Sequence, residues 1–206
     1  YEDYWYETYG HVARTGEPVR AERYAAPHGR WFEFYAFRVG GADGRRVAAV
    51  FQDVTERKRR EESQAFLLRL SDALRAEPDA DAVTNRAIRM LAEQLHLDRC
   101  YVGVYRPADD RADLTHQVGN DRVPPLPARI RLSDFPNALR VATAGTLVID
   151  DFAVTDGLSD ADRRNISALG LRALVAAGLR EGESNPLWTI VAVSASPRQW
   201  ARDEIA

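Results

Sequence analysis

The sequence predicts an α+β protein in two parts, and three observations carry that prediction. Short antiparallel hairpin patterns are interleaved with helical ones, without the regular strand-helix alternation of a doubly wound sheet. The aromatic and β-branched run Arg30 to Val39, a glycine turn at Gly40 to Gly44 and a second apolar run, 46 to 54, pass directly into a charged segment, Glu56 to Glu62, too polar and straight-chained to continue a sheet. No internal repeat of fixed period occurs, so a solenoid is not expected.

The elements follow in order. Tyr4, Trp5, Tyr9, Val12 and Ala13 have helical spacing over residues 2 to 14, and Thr15-Gly16-Glu17-Pro18 ends the helix. Residues 19 to 25, 30 to 39 and 46 to 54 make three antiparallel strands, turned by Pro27-His28-Gly29 and the glycine turn. From Thr55 to about Ala76 one long helix, roughly 33 Å at 1.5 Å per residue, is charged at first and then carries Phe66, Leu67, Leu70, Ala73 and Leu74 on one side. Glu77-Pro78-Asp79 breaks it, and Asp79 or Asp81 caps a second amphipathic helix with Val83, Ala87, Ile88, Leu91 and Leu95 as its stripe. A hairpin over Arg99 to Arg106 and Leu114 to Val118 comes next. It leads to a proline-rich stretch, a Ser133-capped helix to about Thr143, a short strand at 146 to 149 and a helix opened by Ser159-Asp160-Ala161-Asp162 and closed by Gly170. A last hairpin spans Leu171 to Leu179 and Leu187 to Ser196.

Two stretches resemble known families. Asp53-Val54-Thr55-Glu56-Arg57 is similar to the motif that closes the final strand of a PAS domain and opens its signalling helix. Leu97 to Arg106, Ala168 to Val175 and Pro186 to Val193 resemble a GAF domain, a central antiparallel sheet flanked by helices. The resemblance implies a partial PAS sheet over 1–54, a linker or signalling helix over 55–76 and a GAF domain over 63–206 whose closing helix is cut short. It also implies a sensory fragment of a bacterial two-component sensor histidine kinase, with Asp53, Thr55, Glu56 and Arg57 relaying signal to a kinase or other output domain absent from this chain. The opening Tyr1-Glu2-Asp3-Tyr4-Trp5-Tyr6 reads as the interior of a domain, so a longer parent is expected.

Composition excludes several classes. The 206 residues are 45% hydrophobic, enough for two modest cores, and a net charge of −3 gives no general pull toward nucleic acid or anionic lipid. The basic run Arg57-Lys58-Arg59-Arg60 is flanked by Glu56, Glu61 and Glu62 and reads as a solvated helix. A single cysteine, Cys100, permits no internal disulfide and no zinc cluster, and fits a reducing, cytoplasmic compartment. No apolar run approaches the roughly 18 residues of a membrane span.

No catalytic set and no metal site stand out, and no ATP-binding lobe follows residue 96, so this fragment is expected not to be an enzyme. The richest constellation is in the strand 99 to 106. Tyr101, Gly103 and Tyr105 share one face by period two, and Cys100, Val102 and Val104 share the other, which packs under helices. Two phenols around a glycine gap can receive a planar ligand; His116 and Arg172, on strands expected to border the site, are the polar candidates. The ligand is unknown. A bilin is disfavoured because no anchoring Cys-His pair or Asp-Ile-Pro motif is present, Ile149-Asp150-Asp151-Phe152 being the nearest stretch, and a cyclic nucleotide because its Asn-Lys-x-x-x-Asp-type motif is missing. The stripe Leu67, Leu70 and Leu74 predicts a homodimer through the linker helix. The competing expectation is a ligand-free dimerisation scaffold with a self-filled pocket.

Overall fold

A computed structural model describes residues 2–41, 44–137, 146–179 and 187–205. They form two units, Tyr1–Ala65 and Phe66–Ala206, each with its own core. In the first, helix α1 (Glu2–Thr15) precedes strands β1 (Val19–Ala25), β2 (Arg30–Val39) and β3 (Arg46–Asp53), paired antiparallel in the order β1-β2-β3. The register sets Ala21 opposite Phe34 and Phe34 opposite Phe51, so alternate residues of β2 meet α1. Val12, Phe34 and Ala36 are fully buried there, and the Trp5 ring lies edge-on to Phe34 with centroids 4.7 Å apart. Helix α1 stops at Gly16, whose φ of +78° suits glycine and whose N–H closes on the Val12 carbonyl at 2.9 Å. Strand β3 is an edge, with Val50 63% and Phe51 49% exposed.

Helix α2 (Thr55–Arg75) begins in the first unit and ends in the second. Helix α3 (Ala80–Gln94) follows, opened by Asp79, whose carboxylate accepts the Ala82 N–H at 2.8 Å. It ends on His96, at φ +50°, with the Leu97 N–H reaching back to the Ala92 carbonyl at 2.9 Å; His96 fills the left-handed position that glycine usually takes after a helix. The second unit continues with β4 (Arg99–Arg106), β5 (Arg111–Gly119), β6 (Arg129–Arg131), β7 (Leu147–Ile149), α4 (Asp160–Ala168), β8 (Ala173–Leu179), β9 (Leu187–Ser194) and α5 (Arg202–Ile205). The six strands are all antiparallel, in the order β6-β5-β4-β9-β8-β7.

This sheet has two apolar faces. Cys100, Val102, Ala173, Val175 and Ala192 pack with Ile88 of α3, Leu97 and Trp200. Tyr101, Ala112, Leu114, Leu174, Ala176, Val191 and Val193 point the other way, against Leu132, Phe152, Ile166 and Leu171. Helix α4 is held by a reciprocal capping box: the Asp162 N–H donates to Ser159 Oγ at 3.2 Å while the Ser159 N–H donates to the Asp162 carboxylate at 2.8 Å. One expected element differs. The helix expected from Ser133 is a short 3-10 turn, Leu132–Asp134, anchored because Asp110 accepts the Ser133 N–H and hydroxyl, each at 2.7 Å; the expected stretch 138 to 143 lies outside the described residues. Strand β6 escapes the sequence reading because three residues, Arg-Ile-Arg, carry no readable alternation.

Candidate functional site

Between the face of the sheet turned away from α3 and the segments around Leu132, Phe152 and Ile166 lies a cavity of about 80 Å³. Its described walls are aliphatic or aromatic: β4 supplies Tyr101 and Tyr105, β7 Leu147, β8 Leu174 and Ala176, β9 Val191, and the crossing segments Phe135, Phe152, Ile166 and Leu171. The period-two reading of β4 therefore holds, with both tyrosines on the cavity side and Cys100 and Val102 on the helix side.

The phenols differ in their surroundings. Burial pushes the Tyr101 phenol well above its ordinary range and the adjacent Tyr105 adds to it. Tyr105 is raised by burial too, partly offset by a hydrogen bond with the Thr189 side chain. Both are neutral at physiological pH. Thr189, 2% exposed and opposite Gly103 across the β4–β9 pair, is the polar neighbour that sequence reading missed; only the strand register reveals it. Gly103 earns its place by what surrounds it: a methyl there would sit 3.0 Å from Thr189 Oγ1 and 3.3 Å from the Tyr105 ring. Cys100 is on the wrong face to meet a ligand in this cavity, and burial pushes its thiol up to about 12.

His116 and Arg172 do not join the tyrosines. Along β5, even-numbered Ala112 and Leu114 face the cavity, and simple alternation would add His116. Instead the register slips: Val102 pairs with Thr115 but Tyr101 with Gln117, leaving His116 as the extra residue of a β-bulge at φ +23°. Its Nε2 turns to Asp81 of α3, 3.2 Å away, and among the described residues its buried Nδ1 has no hydrogen-bond partner. Arg172 follows Leu171, which enters the cavity wall, so its own side chain leaves in the opposite direction and pairs with Asp151 (Nε to Oδ1 2.6 Å, the other nitrogen to Oδ2 3.0 Å). It borders a surface groove with Arg163 and Arg164.

The strand-to-helix joint in the first unit is densely bonded. Asp53 accepts the Thr55 N–H at 3.0 Å, the Thr55 hydroxyl at 2.6 Å and an Arg30 N–H at 3.0 Å, while Thr55 Oγ1 accepts the Trp31 N–H at 2.9 Å. The Thr55 hydroxyl, most of all, holds the Asp53 carboxyl below its usual range. Arg57 donates to Glu22 on β1 and, at 2.8 Å, to Glu61; Lys58 pairs with Glu22 as well. Glu56 stays exposed, its carbonyl accepting from Arg60. Further along α2, Phe66 is buried, Leu70 and Leu74 are half-buried, and Leu67 and Leu68 are 58% and 69% exposed. Among the described residues no helix is long and apolar enough to cross a membrane, and no three His, Cys, Asp or Glu side chains gather as a metal site would need.

No protein-family model and no curated protein matches the chain. Solved structures do. The phycocyanobilin-bound GAF domain of a cyanobacterial phytochrome is similar over 69% of this chain and 85% of its own, at 16% identity and a TM-score of 0.58. The GAF domain of a phosphoenolpyruvate-protein phosphotransferase from Coxiella burnetii is similar over 70% of this chain and 84% of its own (15%, 0.54). The chromophore-binding domain of an unusual bacteriophytochrome from R. palustris is similar over 91% of this chain and 68% of its own (13%, 0.55). At such identities the likeness is one of fold, and the fold is that of GAF domains. The expectation that sets a bilin aside is thereby corrected: two of the three structures are a phycocyanobilin-bound domain and a chromophore-binding domain, so missing short motifs are no guide to ligand class at this sequence distance.

Proposed function

We propose that this chain is the sensory part of a bacterial signalling protein, a two-component sensor histidine kinase in class: the end of a PAS domain over 1–54, a signalling helix over 55–76 and a GAF domain over 63–206, working as a cytoplasmic homodimer without enzymatic activity of its own. The observation that carries this reading is the cavity, an apolar chamber with two neutral phenols, separated by one layer of sheet from α3. A ligand that fits it better in one conformation than another shifts the balance between them by its differential affinity, and no more. The joint at Asp53, Thr55 and Arg57 supports the relay: three interlocked residues clamp the first turn of α2 to β1 and β2, so the helix takes its direction from the sheet. The exposed Leu67 and half-buried Leu70 and Leu74 support pairing of α2 with a second copy.

Native mass spectrometry of the purified chain tests this. A dimer retaining a small molecule is expected. A monomer that retains nothing, and gains stability with no member of a broad metabolite set, would overturn it; a tight dimer with an empty, unresponsive cavity would favour the scaffold reading.

A further inference from the structure

The walls of the cavity limit what can sit inside it. Its volume, about 80 Å³, is near half of the roughly 150 Å³ that takes up a benzene ring in an apolar engineered cavity. The described lining bears no charged side chain, and the two polar candidates are turned elsewhere: Arg172 is paired with Asp151 on the outer surface, and His116 is turned through the bulge toward α3. An ion entering here would lose its hydration and find no counter-charge. Two phenols line the space. Tyr101 is 7% exposed, and among the described residues no hydrogen bond satisfies its hydroxyl, whereas Tyr105 has the Thr189 side chain, itself donating to the Gly103 carbonyl at 3.4 Å, as a polar neighbour. A buried hydroxyl in an apolar chamber gains from a partner that brings one acceptor or donor and no charge.

Resting on the reading of this cavity as a ligand site, we propose that the part of the ligand seated beside Tyr101 is uncharged, about four non-hydrogen atoms in size, and apolar except for one hydrogen-bonding atom that meets the Tyr101 hydroxyl: a short alcohol, ketone or amide, or such a group projecting from a larger molecule held at the mouth.

Three probes of four non-hydrogen atoms each separate the alternatives at neutral pH: 2-propanol, acetate and the isopropylammonium ion. Binding to the intact chain is followed by the methyl resonances of Leu174 and Val191, with xenon as a wholly apolar control. The expected result is a saturable shift with 2-propanol and xenon, and binding of both ions weaker by about a hundredfold or more. Tyr101→Phe keeps the ring and should weaken 2-propanol about fivefold while leaving xenon unchanged; if that variant does not fold, the probe series on the parent chain decides alone. Acetate or isopropylammonium matching 2-propanol would overturn the proposed ligand class while leaving the cavity a ligand site. Silence of both methyl groups toward all four probes would overturn the ligand-site reading itself.

Discussion

Asp98 offers the sharpest test of how the second unit is held together. It ends the approach to β4 with 4% exposure, and its carboxylate accepts the Ala195 N–H at 2.8 Å and the Asn120 side-chain N–H at 3.0 Å and forms an ion pair with Arg122 at 3.4 Å. It thus ties the loops after β5 and β9 to the start of β4. Burial pushes its pKa up, but the Ala195 and Asn120 hydrogen bonds and the Arg122 charge outweigh burial and leave it below the usual range. Asp98→Ala strands the half-buried Ala195 N–H, while the amide of exposed Asn120 can turn to water. At about 1.5–3 kcal/mol for the Ala195 hydrogen bond to a charged group, and with exposed Asn120 and Arg122 contributing little, the loss should be about 2 kcal/mol. Urea unfolding followed at Trp200 would read it as a lower midpoint with an unchanged slope. The pH dependence has a definite sign. A depressed folded-state pKa gives stability that is full above the unfolded value of about 3.9 and is lost as pH falls through the folded value, so the variant should have a shallower acid limb. A loss under about 0.5 kcal/mol, or acid limbs that run parallel, would refute the reasoning.

Three further outcomes are expected. Cys100, with its thiol raised to about 12, should react with iodoacetamide about a thousandfold more slowly in the folded chain than in urea; comparable rates would place it outside the core. Edge strand β3, with Val50 and Phe51 exposed, should exchange its amides faster than β8 in dilute monomer unless another chain covers it; equal protection in a proven monomer would refute this. Leu70→Glu should weaken self-association by tenfold or more if α2 pairs with α2, and sedimentation showing an unchanged dimer would move the interface elsewhere.

The elements were legible wherever local chemistry speaks without help from the rest of the chain. The aromatic strand 30 to 39, the Asp79 cap and the Ser159 capping box declare themselves in a few residues, and α2 and α3 in their stripes. The faces of β4 were legible because its alternation is unbroken. What could not be read depends on pairing across long separations. Thr189 lies 86 residues from Gly103 and becomes a neighbour of Tyr105 only through the β4–β9 register. Arg172 looked available because Asp151, 21 residues earlier, gives no sign in the sequence of closing on it. His116 was misjudged because alternation assumes a regular strand, and nothing local announces that one residue stands outside the count.

That extra residue has an unusual bearing on length changes in the chain. Removing one position from a strand ordinarily turns every later side chain inside out. Here Leu114 and Gln117, an odd number of positions apart, already lie on the same side of the sheet, opposite Gly103 and Tyr101. Excising His116 would therefore heal the alternation: Thr115 would remain opposite Val102, Gln117 opposite Tyr101, and the strained +23° backbone would vanish together with the contact to Asp81. β5 is thus a strand that tolerates a shortening by one at a single point, where its two halves are already in phase.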